Sequence, residues 1–138
     1  IPTHVLQKVG GFCPLFYHYG EDKDFVNRLH YHQYQVGYSP QVFGNHDREY
    51  RPLTHEGFLR TESVYHLSEY VNINHPWLKA FGYGVLAVMK KALTSLISGK
   101  FQLSKDYLRM GFQLLSRSTE IQSYRKINRL SQPHYIQK

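Results

Sequence analysis

Three carboxylates, Glu21, Asp22 and Asp24, follow Gly20 within four residues and lead into an apolar-periodic stretch. A hydroxyl must lose its proton as it attacks, and a loop-end carboxylate within hydrogen-bond reach is a suitable general base. Asp22 is the first candidate for that role. Glu21 beside it would bind another hydroxyl or hold the loop. The same acids also suit a helix N-terminus, whose partial positive charge favours carboxylates by ~0.3–1 kcal/mol each. Asp24 and Arg28 are spaced as an intrahelical ion pair, which gives Asp24 a structural part. The lone Cys13 has no activating partner beside it and reads as a small apolar residue rather than a nucleophile.

These residues need elements to position them. Thr3 is placed to cap a short helix, 4–9, which Gly10-Gly11 would end. Residues 12–19 read as an aromatic loop containing Pro14. From Glu21 to Gln33 the pattern is helical, with Phe25, Val26 and Leu29 on one face and Lys23, Asn27 and Arg28 placed to be wetter. Gln35–Ser39 and Gln41–Gly44 read as two short strands around Pro40. Beyond Pro52 the character is helical: 61–71, then a break at 72–75, a helix from Pro76 to Ile97, one capped by Ser104 to about Ser116, and a last one over 118–130. The fold class expected is α+β, mostly α, with residues 1–50 as a small α/β portion and 51–138 as a helical extension.

The chain has 138 residues, a formal net charge of +7 and a pI near 9.5, so an anionic partner is expected: a nucleotide diphosphate, an acidic lipid surface or nucleic acid. A single cysteine excludes an intramolecular disulfide and fits a reducing compartment. The opening Ile1-Pro2-Thr3-His4 reads as the middle of something longer. Residues 81–97 are the most apolar stretch, judged too short and too charged to span a membrane.

Gly10-Gly11-Phe12, then Tyr19-Gly20-Glu21-Asp22-Lys23-Asp24-Phe25 with Arg28-Leu29, then a strand region leading to His46, resembles the distal half of family 2 glycosyltransferases of the GT-A fold. With Asp47-Arg48-Glu49 it looks like the branch common in bacterial, Bacteroides-like surface-polysaccharide clusters. The resemblance covers residues 1–50; its pieces are weak singly and specific as a set. It implies an inverting transferase moving a sugar from a nucleotide-sugar donor to a glycan or lipid-linked acceptor. In that frame Asp22 is the catalytic base, Glu21 and Tyr19 contact acceptor, Gly10 and Gly11 let the backbone approach the donor sugar, and His46 helps bind a divalent Mn or Mg. The family's metal-holding Asp-x-Asp lies upstream of this segment, whereas Asp22-Lys23-Asp24 has the letters but sits in the acceptor-side motif. The chain is therefore expected to be the C-terminal portion of a longer enzyme and inactive alone, in the cytoplasm or peripheral on the inner face of the cytoplasmic membrane.

Other histidines and aromatics have plainer readings. His30 and His32 point to different helix faces, which argues against a shared metal. Tyr31, Tyr34 and Tyr38 read as packing, and Phe16, Tyr17 and Tyr19 as acceptor-lining or core anchors. The alternative function is a non-catalytic helical module that docks to a membrane or a partner protein. Lys79, Lys90, Lys91, Lys100, Lys105 and Arg109 would meet anionic headgroups, and Leu86, Val88, Leu93 and Ile97 would supply apolar surface. A tail that packs on the missing N-terminal half, or forms a homo-oligomer, is the simpler role for these helices. Nucleic-acid binding rests on charge alone, with no recognition-helix or aromatic RNA motif behind it.

Overall fold

The computed structural model describes residues 1–17, 19–37, 39–41 and 54–136, and these form six helices, several of them separated by glycine or proline. The helices are α1 (Thr3–Val9), α2 (Glu21–Tyr31), α3 (His55–Val71), α4 (Trp77–Ile97), α5 (Phe101–Ser116) and α6 (Ser118–Asn128). Several ends follow from single residues. Thr54 caps α3 by accepting the Gly57 N–H at 3.0 Å. Pro76 precedes α4, and Gly99, at φ 72°, turns the chain into α5.

The expected α+β fold is overturned: the described residues are all-helical, with no strand. Gln35, Val36 and Gly37 are exposed and irregular. The β-branched and aromatic pattern there suggested a strand, but an extended segment needs a neighbour to take its backbone hydrogen bonds, and no described strand provides one. Most of the second expected strand, the domain boundary at 50 and the Asp47-Arg48-Glu49 stretch lie outside the described residues.

Local corrections are smaller. Thr3 lies inside α1, whose cap position is Pro2, and Ser104 lies buried inside α5, which starts at Phe101. Helix α3 begins at His55, six residues before the expected start at Thr61. Arg28 was placed on the wetter side of α2 and Val26 on the core side; Arg28 is fully buried and Val26 is exposed. Helix α4 starts at Trp77, which makes it long and apolar enough, by length and composition, to cross a membrane.

Two clusters of apolar side chains hold the helices together. The smaller joins α1 to α2 through Val5, Val9, Phe25 and Leu29. The larger packs Cys13, Leu15 and Phe16 of the aromatic loop against α3–α6, with Tyr70, Val88, Tyr107 and Ile121 at its centre. Burial pushes the Cys13 thiol up to about 11, which keeps it protonated and unreactive near neutrality.

A buried guanidinium fixes the elbow between α3 and α4. Arg125 of α6 donates to the carbonyls of Tyr70, Asn72 and His75 and lies over the Trp77 ring. Those carbonyls fall where α3 ends and the chain breaks, so they have no helical partner of their own. Burial and the Arg129 charge lower the Arg125 pKa to about 10, still leaving it charged at neutral pH.

Candidate functional site

The start of α2 is set by Gly20, which takes a left-handed conformation at φ 87°. A Cβ there would also meet Val64 Cγ1 at 2.6 Å and the Phe16 ring at 3.0 Å. Glycine is therefore required on both grounds, and it seats the first turn of α2 tightly on α3 and the aromatic loop. Lys23 adds a tie, donating to Glu69 of α3 at 2.6 Å and lying 4.7 Å from the centroid of the Tyr65 ring.

On this fixed turn the three carboxylates part company. Asp24 is buried and accepts from Arg28 Nε at 2.9 Å. Burial raises the Asp24 pKa, and the guanidinium opposes that rise without reversing it. Asp22 is exposed, with Oδ1 accepting the Lys23 N–H at 2.7 Å. Glu21 is half-buried, and its Oε2 is enclosed with no hydrogen-bond partner among the described residues. Tyr19, at φ 67°, is half-exposed and borders two shallow hollows against α3, which also touch Arg60 and Val64. Neither hollow reaches Glu21 or Asp22.

Arg28 links α2 to the glycine turn. Its Nη1 donates to Val9 O and its Nη2 to Gly11 O, both at 2.6 Å, so one side chain closes the C-terminus of α1 and fixes the turn after it. The Phe25 and Tyr135 rings lie within 6 Å of the guanidinium. This hub is ~9 Å along the α2 axis from Asp22.

Gly10 and Gly11, expected beside a donor sugar, are approached by the chain's own C-terminal segment. The Gly11 N–H donates to His134 O at 2.9 Å. A Cβ on Gly10 would run into His134 O, and one on Gly11 would lie 2.7 Å from Tyr135 O. His134 itself is half-buried, with neither ring nitrogen bonded among the described residues. Burial and the nearby Arg28 and His32 charges lower its pKa.

The metal assignment has no support from the described residues. The Asp22-Lys23-Asp24 pair does not chelate, because Asp24 is turned inward and bound to Arg28. Among the described residues no group of three His, Cys, Asp or Glu is placed to hold a cation. His46 lies outside them. His30 Nδ1 lies 3.2 Å from Asn74 Oδ1, and His32 Nε2 lies 3.0 Å from Asn128 O. Phe16 is a core residue, whereas Tyr17 is fully exposed. Tyr34 packs against the α1–α2 cluster, Tyr31 is at the surface, and Tyr38 falls outside the described residues.

No protein-family model, curated protein or solved structure matches this chain. The arrangement at α2 therefore stands on its own chemistry. Its exposed part is the Asp22 carboxylate, beside a half-buried Glu21, on an immobilised helix start. Of the residues that immobilise it, Arg28 is read from the sequence only as the ion-pair partner of Asp24, and the 134–135 segment is not singled out there. The one signal for the segment was the Gly10-Gly11 pair itself, which marks a close backbone approach without saying by what.

Proposed function

We propose that this chain supplies the acceptor-activating part of an inverting glycosyltransferase of the family 2 type. The observation that carries the proposal is the division of labour among the three acids. Asp24 is consumed in holding the helix, while Asp22 is left exposed on a rigid first turn and Glu21 keeps an unsatisfied oxygen beside it. An acceptor hydroxyl near this turn would donate to Asp22, which takes the proton as the oxygen attacks the anomeric carbon and the anomeric C–O bond breaks, the nucleoside diphosphate leaving with the electron pair. Glu21, half-buried beside Asp22 with its Oε2 enclosed, would hold the turn on which Asp22 sits. Tyr19 offers an aromatic face at the rim for a sugar ring. The donor nucleotide and any divalent metal would be held by residues other than those described here, and no step is assigned to them.

The test is Asp22→Asn in the complete enzyme carrying this segment, assayed for transfer of labelled sugar from a panel of nucleotide-sugars. Loss of the base should lower kcat by ~10²–10⁴-fold with donor affinity little changed. A near-normal rate in the Asn variant removes Asp22 from the role. The 138 residues alone should neither transfer sugar nor bind a nucleotide-sugar at submicromolar concentration, and either activity would overturn the proposal.

A further inference from the structure

The α4–α5 hairpin carries an apolar face that the core does not use. Its inner side is closed by small residues: Gly111 sits against Val88 and Gly84 against the Tyr70 ring, where a Cβ would come within 2.9 Å in either case. On the outer side of α4, Leu86, Met89, Leu93, Leu96 and Ile97 recur at helical spacing and are all exposed, Ile97 at 77%. Phe101, Leu108, Phe112 and Leu115 make the matching stripe on α5, with Phe112 72% exposed. The stripes meet over a shallow apolar groove between the helices, lined by Val85, Met89, Leu108 and Phe112.

Cations predominate around this face, although Arg109 shares a hollow with Glu56 and Asp106, and Lys79 one with Glu69. Lys79 and Lys90 of α4, Lys100 at the hairpin tip, and Lys105 and Arg109 of α5 are exposed. Helix α4 contains no acid. The one acid of α5, Asp106, is turned toward His55 of α3 at 3.0 Å. Lys91 is excluded from the set because it pairs with Glu62 on the core side. A broad apolar surface edged with cations, of which Lys90, Lys100 and Lys105 have no ion-pair partner among the described residues, fits a sheet of anionic headgroups over acyl chains. A second copy docked face to face would bring like charges together, which disfavours that occupant.

We infer that the outer face of the α4–α5 hairpin lies on an anionic lipid surface, with α4 parallel to the membrane. Spanning is the less favourable arrangement. The inner face of α4, through Ala80, Val88, Ala92 and Ser95, is buried in the protein, and insertion would strip it from α3 and α5. This inference is independent of the transferase proposal, because vesicle binding requires no turnover.

The test is co-sedimentation of the whole chain with phosphatidylcholine vesicles, with and without about one-third phosphatidylglycerol. Binding should need the anionic lipid and fall ~10-fold or more as salt rises from about 0.1 to 0.5 M. Leu93→Ser with Phe112→Ser should weaken partitioning ~10-fold or more, and Lys105→Glu with Arg109→Glu should do likewise. All four positions are exposed, so the thermal melt by circular dichroism should change little in either variant. Absence of binding at low salt overturns the inference, as does binding indifferent to the Leu93 and Phe112 changes. Resistance to alkaline carbonate extraction overturns the surface-lying geometry in favour of a spanning helix. A dimer abolished by the Leu93 and Phe112 changes, and undiminished by vesicles, assigns the face to a second copy instead.

Discussion

Replacing Arg28 by Met removes three charge-assisted hydrogen bonds at once while roughly conserving volume. Arg28 is fully buried and serves Asp24, Val9 O and Gly11 O. Breaking a buried ion pair from one side costs ~3–5 kcal/mol, because the remaining charge is left desolvated. The two carbonyls add to this, at ~1–3 kcal/mol for each that cannot reach water, though not additively. The expected loss is therefore ~4–6 kcal/mol, a large share of the ~5–15 kcal/mol that holds a domain of this kind together. Asp24→Leu with Arg28→Met removes both charges and should be less destabilised than Arg28→Met alone, by ~2 kcal/mol. Asp24 can also escape by protonation, so the deficit of the single variant should shrink as pH is lowered. Urea unfolding followed by circular dichroism near pH 7 reads all of this. A cost below ~1 kcal/mol for Arg28→Met, or a double variant no better than the single, would refute the hub.

Two further outcomes follow from the same region and its neighbours. His66 and His134 both have pKa values lowered below 6.5, by burial first and then by Lys91 for His66 and by Arg28 and His32 for His134. The unfolded chain thus binds more protons below pH ~6.5, so stability should be full above that value and fall as pH drops through the lower folded pKa values. Asp24, whose pKa is raised from 3.8, acts with the opposite sign, contributing stability below that value that is lost as pH rises through its folded pKa. Thermal melts between pH ~7.5 and ~5.5 should show a falling Tm, and His66→Gln with His134→Gln should flatten the slope; a Tm that rises on acidification would exclude this account. Gly10→Ala should cost ~1–3 kcal/mol from its φ of 81° and release the 134–136 segment it would strike. Chymotryptic cleavage at Tyr135 should accelerate in Gly10→Ala but not in Gly99→Ala, which has a positive φ and no neighbour within 4 Å; equal rates in both would dissociate the segment from the turn.

What the sequence made legible was local. The break at 72–75, Pro76 and Gly99 act through their own backbone preferences, and α4 between them is expected with ends close to those observed, whereas α3 and α5 start earlier than expected. The Asp24–Arg28 pair was legible from spacing, since it needs only one helix. Its burial was not, because the acceptors that bring Arg28 inside, Val9 O and Gly11 O, belong to another element. The strand over 35–39 failed for the converse reason: the local pattern was present, and no described strand pairs with it. At the candidate site, Gly20 and the acids predicted a helix start, but which acid would be spent internally depended on the long-range packing of α2. The glycine pair signalled a close approach, and its occupant came from residues more than a hundred positions away.

That distance has a consequence for synthesis. Residues 10 and 11 leave the ribosome more than a hundred residues ahead of His134, so the N–H of Gly11 waits for His134 O. At about 5–20 residues per second the interval is roughly 6–25 s, long compared with helix formation or hydrophobic collapse. Helices α3–α5 are made within that interval, so they can associate while the glycine turn still lacks its cover. The turn joined to α2 through Arg28 is therefore completed only after α3–α5 have been made. Chains cut short before residue 134 would carry Glu21 and Asp22 on a helix whose glycine turn has been left uncovered.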